Sequence, residues 1–179
     1  MPSPRRQKAR RRPLGALTRY DELLTAAVVV SLLVLVFAYL PSDLTRSYSG
    51  VARVIDGDRL VVGVVDTRLK GIDAPELGQM CLLEGDAWPC GKEARRQLHD
   101  RIAGRLVSCR GSERDGEGRI LAECRIGDRL LNAEIVAAGW AVSDSVYRAE
   151  ERSAKAGERG IWTSRFDRPA HWRNTYTVF

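Results

Sequence analysis

The sequence predicts an α+β protein, a five-stranded β-barrel of the OB type with about three packed helices, preceded by one transmembrane helix. Two observations carry the barrel and one carries the helix. β-Prone runs fall at about 49–55, 58–65 and 67–72, and two more strand-like runs flank the turn formers Asp115, Gly116 and Gly118. A helical pattern lies between the two groups, near 92–103. Five short antiparallel strands are too few for a sandwich and suit a small closed barrel. Ahead of them, residues 23–40 run without a charge, a glycine or a proline.

That run, "LLTAAVVVSLLVLVFAYL", has the length and polarity of a membrane-crossing helix and lacks the two faces of a buried one. A cleavable signal peptide is the other reading, but its apolar region is usually shorter and no clean A-x-A site follows. Residues 1–20 hold seven Lys or Arg and no acid, whereas only Arg46 and Arg53 follow the run closely. The positive-inside rule therefore predicts a cytoplasmic N-terminus and an extracytoplasmic domain. The early arginine pairs also suggest a twin-arginine export signal, but the rest of that pattern is missing. The expected divisions are a basic tail at 1–22, an anchor at 23–40, a linker at 41–48 and a barrel domain at 49–179.

The net charge of +6 belongs mainly to the tail, since residues 41–179 carry 22 basic against 21 acidic side chains. A domain so nearly neutral offers polyanions at most a local patch.

In the helix at 92–103, Ala94, Leu98 and Ile102 share one face and Gly104 marks the stop. Four cysteines fit an oxidising compartment, and none has the CxxC spacing of a zinc ribbon. Cys109 and Cys124 are equidistant from the midpoint between Gly116 and Glu117, so a hairpin folded there sets them opposite each other. Cys81 and Cys90 then close the loop "LLEGDAWP". The alternative is four reduced, buried thiols. Asn132 reads as the cap of a helix ending at Gly139, and a last helix spans Asp144 or Ser145 to Gly157.

Two clusters carry chemistry. In "RVIDGD", Asp56-Gly57 is a hairpin signal in which the glycine accepts φ > 0, which leaves Asp58 unexplained at the start of a strand. In "RLKGIDAPE", Pro75 stops a strand and pushes Ala74 out of the α region, so Asp73 and Glu76 sit at a plain strand end or, functionally, at a fixed one. Carboxylates of Asp58 and Asp73 with the Ala74 carbonyl make the hard-oxygen set that Ca²⁺ requires. Arg68, and Arg119 in "DGEGR", are either solvated rim charges or planar forks for phosphate oxygens. His99 and His171 are ordinary surface or packing residues, which leaves proton transfer to a carboxylate.

The segments "RVIDGD", "RLKGIDAPE", "DGEGR", "LNAEIVAAGWA" and "ERGIW", in this order between about Gly50 and Arg173, resemble the staphylococcal-nuclease-like (thermonuclease) family. The resemblance implies an OB-type barrel that cleaves DNA and RNA with Ca²⁺. It implies Asp58, Asp73 and the Ala74 carbonyl as metal ligands, Glu76 as the acid that positions or deprotonates water, and Arg68 and Arg119 as phosphate-binding arginines. Three departures stand out. Arg59 follows "DGD" where threonine is usual, placing a cation beside the metal acids; Glu117 replaces a common tyrosine; and a pair of nucleotide-contacting tyrosines is missing. Tyr147, Trp88, Trp140, Trp162 and Trp172 read as packing residues.

The expectation is a membrane-anchored, extracytoplasmic, Ca²⁺-dependent nuclease with nucleic acid as substrate and no protein partner. Two rivals are a non-catalytic OB module that binds nucleic acid or protein, and a structural spacer of the envelope.

Overall fold

Alternation with period two fixes the strands. The computed structural model describes residues 15–39 and 45–176. In β7 (Leu106–Gly111) every second side chain is buried, and β8 (Ile120–Ile126) buries Ile120, Ala122, Cys124 and Ile126. β1 (Arg46–Val54) lies antiparallel to β7 on one side and to β2 (Arg59–Val62) on the other. β2 pairs with β3 (Val65–Leu69), β7 with β8, and β8 also with the short β9 (Arg129–Leu130).

Between β3 and β8 the pairing is parallel, Thr67↔Ile120 to Leu69↔Ala122, and it closes a ring of five. The sequence predicts an all-antiparallel set, which a ring of five cannot be. Directions alternate around the ring, and an odd number of strands leaves one adjacent pair pointing the same way. The β-run expected at 58–65 is broken at a turn, Gly63–Val64, where Gly63 has φ 62°, and the run expected at 67–72 starts earlier, at Val65, and is interrupted after Leu69.

The interior holds Leu60, Leu69, Val107 and Ala122, and α2 (Cys90–Ile102) covers it with Ala94, Leu98 and Ile102 as expected. α3 (Leu131–Ala137) adds Leu131, Ile135 and Val136. Asn132 does not cap α3. Its Oδ1 accepts from the Cys124 amide at 2.9 Å, and its Nδ2 donates to the carbonyls of Lys70 and Ala122 at 2.9 and 3.1 Å. A fully buried amide is satisfied in this way by backbone beside the β3–β8 seam.

Several short elements surround the barrel. β4 (Ile72–Asp73) pairs with β10 (Val142–Ser143), and β5 (Cys81–Leu83) with β6 (Asp86–Trp88) inside what reads as a plain disulfide loop. α4 (Arg148–Ala156) starts later than expected, because Asp144 N–H donates to the Gly71 carbonyl at 3.1 Å and Tyr147 N–H to Ser143 Oγ at 3.0 Å, which holds this stretch in a turn. A 3-10 turn (Gly160–Thr163) leads to α5 (Pro169–Tyr176), which the sequence reading does not contain.

Both predicted disulfides are present, Cys81–Cys90 and Cys109–Cys124, the second between register partners of β7 and β8. Cys109 and Cys124 are 15 residues apart in sequence, and a cross-link over such a loop stabilises by about 3 kcal/mol. Cys109→Ser with Cys124→Ser is therefore expected to lower the melting temperature by on the order of 10 °C, read by circular dichroism.

Ahead of the barrel, in a separate unit ending at Asp43, α1 spans Gly15–Tyr39. Its described side chains between Leu23 and Val36 are exposed. Among the described residues no helix is long and apolar enough to cross a membrane, so the anchor expected over 23–40 is not carried by the structure. Side chains in that span are described only to residue 36. The basic tail lies outside the described residues up to position 14, and the linker outside them at 41–44. From Arg46 the expected linker is already β1.

Candidate active site

Two different jobs explain the paired acids of "RVIDGD". Asp56 Oδ1 accepts the Asp58 amide at 3.1 Å, while the amides of Ile55 and Asp56 both reach the Arg59 carbonyl. Asp56 thus shapes the turn with its own side chain. Gly57 does not have positive φ; a Cβ there would lie 2.7 Å from Ala74 Cβ and 3.0 Å from Ala94 Cβ. The glycine is required by close approach of two chain segments rather than by its torsion angle.

Asp58 is then free to point inward. Only 8% exposed, its Oδ2 accepts from Arg68 Nη2 at 3.1 Å, Arg68 Nε at 3.3 Å and the Ala74 amide at 3.3 Å. Of Ala74, the contact formed is this N–H. Asp73, 5% exposed on β4, takes Arg68 Nη2 at 2.7 Å on Oδ1. One guanidinium nitrogen therefore joins a carboxylate from the turn before β2 to one on β4.

Arg173, on α5, forms the other half of the cluster. Its Nη1 donates to Asp73 Oδ1 at 2.8 Å and to Glu76 Oε1 at 2.6 Å, and its Nη2 to Asp73 Oδ2 at 3.2 Å. Asp58, Asp73 and Glu76 thus stand with Arg68 and Arg173 in one network. It borders a cleft of ≈ 450 Å³ that Lys70, Asp115 and Asp144 also line. A second cleft of ≈ 480 Å³, over β1, β7 and β8, holds a single carboxylate, Glu123.

The loop that carries Glu76 is fixed from behind. Gln79, fully buried, accepts the Glu76 amide on Oε1 at 3.2 Å and donates from Nε2 to the Asp167 carbonyl at 2.6 Å. Gly91 donates its amide to the Gln79 carbonyl at 3.2 Å and leaves space for the Glu76 carbonyl.

Arg119 is not joined to this network. Its Nε donates to Asp115 Oδ2 at 2.6 Å and its Nη2 to Glu117 Oε1 at 2.8 Å, so the residue that replaces a common tyrosine is one of its partners. Asp115 lines the same cleft, which puts Arg119 behind one wall of it. Arg59, expected beside the acids, binds Asp66 through two nitrogens at 2.6 and 3.0 Å. Tyr147 is a core residue, 6% exposed, with its phenol pushed up to about 12 by burial. His99 and His171 are exposed.

Burial dominates the electrostatics. It pushes the Asp58 carboxyl up to about 8 and is opposed by Arg68. Burial also raises Asp144, with Asp73 adding to the effect. For Arg173, burial favours the neutral form, but its hydrogen bonds to Asp73 and Glu76 outweigh it and hold the guanidinium charged. Asp58 is therefore a carboxyl whose ionised form needs a nearby cation.

Among the described residues no three His, Cys, Asp or Glu side chains converge on a point that would hold a metal. The donors available are two buried carboxylates, both oxygen and both already turned toward cationic nitrogen. Such a set fits a hard divalent ion that takes its remaining ligands from water and a phosphate, and does not fit an all-protein cage.

Sequence reasoning missed Arg173, Gln79 and Gly91. Arg173 lies 100 residues from Asp73 in sequence, with no local pattern to mark it.

The sequence pattern of the family described as staphylococcal nuclease homologue matches residues 66–164, which excludes Asp58 and Arg173. The succinoglycan biosynthesis protein ExoI of Rhizobium meliloti is 34% identical over 121 residues, 63% of this chain and 63% of its own length. A probable endonuclease of Schizophyllum commune is 29% identical over 63% of this chain and 46% of its own length. A probable staphylococcal-like nuclease of Oryza sativa is 32% identical over 59% of this chain and 28% of its own length. The matches thus span less than two thirds of each of these relatives.

Proposed function

Because the match covers more than half of it, the chain belongs to the staphylococcal nuclease homologue family, and we propose that its barrel hydrolyses phosphodiester bonds of DNA or RNA with a divalent ion. The observation that carries the reading is the network of Asp58, Asp73 and Glu76 with Arg68 at the edge of an open cleft. Two of the relatives are named as probable nucleases, which supports the reaction class.

The roles follow from position. Arg68 presents a permanently charged fork to the non-bridging oxygens of a phosphate in the cleft, where charge grows in the transition state. Glu76, 31% exposed and on an anchored loop, orients an attacking water and accepts its proton. Arg119 reaches the phosphate once its hold on Glu117 is released. Asp58, Asp73 and the Ala74 carbonyl are the proposed ligands of the ion, Ca²⁺ in our reading of an oxygen-only set, and the bound ion supplies further positive charge for the same oxygens.

Full-length protein in detergent is expected to cut DNA or RNA with added Ca²⁺ and to stop with chelator, with Mg²⁺ as the comparison ion. Glu76→Gln should be slower by about a hundredfold or more. Wild-type protein no faster than this variant would overturn the reading. The non-catalytic module is favoured by one observation, the engagement of Arg119 by Asp115 and Glu117. It gains if nucleic acid binds tightly without turnover.

The proposal extends to location, with residues 23–40 as a membrane anchor, the tail in the cytoplasm and the barrel outside. It is supported by the charge-free run, the seven preceding basic residues and two disulfides in the barrel. The full chain is expected to resist extraction from membranes by alkaline carbonate, whereas residues 41–179 stay in the soluble fraction. Release of the full chain by carbonate would remove this part of the proposal.

A further inference from the structure

Arg173 occupies the carboxylate oxygens that a divalent ion would need. Its two terminal nitrogens take both oxygens of Asp73, and one of them also takes Glu76 Oε1. A guanidinium so placed and a doubly charged ion on the same Asp73 repel each other at short range. They compete for the same oxygens, so binding of either weakens binding of the other.

The element that carries Arg173 is suited to leaving. α5 has eight residues, of which only Pro169 is buried, so its own helical hydrogen bonds give it little stability. Besides Arg173, it is held by the buried Pro169 at its start and by contacts before and within it. Gln79 grips the Asp167 carbonyl just before it, and Trp172 rests near Gly78, where a Cβ would lie 3.9 Å from the indole. Short, exposed and tied by few contacts, it belongs with the elements that open first.

We propose that Arg173 is a resident cation that takes the place of the divalent ion at Asp73 while also holding Glu76, and that binding of the ion expels it and loosens α5. The C-terminal helix is then a latch that reports metal occupancy. While it is closed, it keeps both carboxylates aimed; when open, it frees Glu76 for water. This inference rests on the divalent-ion reading above, and concerns a residue outside the span that matches the family.

Two measurements on the full chain in detergent test it. In calorimetric titration with Ca²⁺ alone, Arg173→Gln is expected to bind about five- to thirtyfold more tightly than wild type, because a competing charged contact of one or two kcal/mol is removed. Arg173→Lys, which keeps the charge, should stay near wild type. A merely structural arginine would give the opposite sign, since its loss would scatter the ligands and weaken binding. In hydrogen exchange on wild-type protein, Ca²⁺ should speed exchange of the amides at 169–176 while the barrel strands are unchanged or slower. This second measurement stands even if Arg173→Gln fails to fold. Equal or weaker binding by Arg173→Gln, or α5 amides no faster with Ca²⁺, overturns the latch and leaves the nuclease reading intact. Absence of Ca²⁺ binding by folded wild type and variant alike overturns both.

Discussion

Arg68→Ala is expected to lower the rate of phosphodiester hydrolysis by about a hundred- to a thousandfold, the usual cost of removing a preorganised donor to transition-state charge. It also destabilises the fold. Arg68 Nη2 lies 3.1 Å from Asp58 and 2.7 Å from Asp73, and the three side chains are only 20%, 11% and 7% exposed. Breaking a buried pair by deleting one member costs about 3–5 kcal/mol, because it leaves buried charge uncompensated.

The pH dependence of that loss has a definite sign. Burial raises the folded-state pKa of Asp58 to about 8, well above its unfolded value, even with Arg68 opposing the shift. A raised carboxyl makes the ionised form costly when folded. The penalty is absent below the unfolded pKa and grows as pH rises toward the folded one. Without Arg68 the upward push is stronger, so Arg68→Ala should be closer to wild type in melting temperature at pH 5 than at pH 8. Melting curves at the two values test the stability, and a nuclease assay well below the melting point tests the rate. Arg68→Lys separates the effects, since it keeps a charge between the acids but not the planar fork, and is expected to recover stability before activity. A variant with wild-type rate and full stability would show that Arg68 neither meets phosphate nor holds the acids.

The second large effect is expected at a residue with no chemistry of its own. In Gly91→Ala, the new Cβ would sit 1.7 Å from the Glu76 carbonyl oxygen and 2.7 Å from its carbon. Both are backbone atoms, and Gly91 lies in the first turn of a helix whose first residue, Cys90, is cross-linked to Cys81. The loop must give way, and with it the Glu76 carboxylate. A displacement of about 1 Å at a catalytic group commonly costs a hundredfold in rate. Overpacking of this kind costs about 1–3 kcal/mol in stability. The informative comparison is with Glu76→Gln, since the two variants should lose activity to a similar degree for different reasons. Activity within threefold of wild type in Gly91→Ala would mean that the position of Glu76 is not critical.

The barrel was legible because its strands are long enough to show a period and because Cys109 and Cys124 lie symmetrically about a turn. β4, β5, β6 and β10 have two or three residues each, too few for any period, and form only when a partner arrives. Asn132 looked like a helix cap because caps and buried backbone bridges use the same amide, and sequence does not show which carbonyls will be near. Asp58, Asp73 and Glu76 were legible through their local motifs. Arg119 was found but faces Asp115 and Glu117, whereas Arg173, which does meet the acids, comes from a helix of eight residues near the end of the chain. What a motif records is its own neighbourhood, and the site draws on four separate ones.

The odd-membered ring has a consequence for how the protein comes to work. Its parallel seam joins Arg68 to Leu121, so the residue that gathers the acids is itself seated by the ring strand that comes last in the sequence. A nascent chain complete through β4 and the loop that carries Glu76 has all three acids of the network and lacks the strand that seats Arg68. Such a chain is inert until its late strand arrives, and gain of activity during refolding should therefore lag the first hairpins and coincide with ring closure.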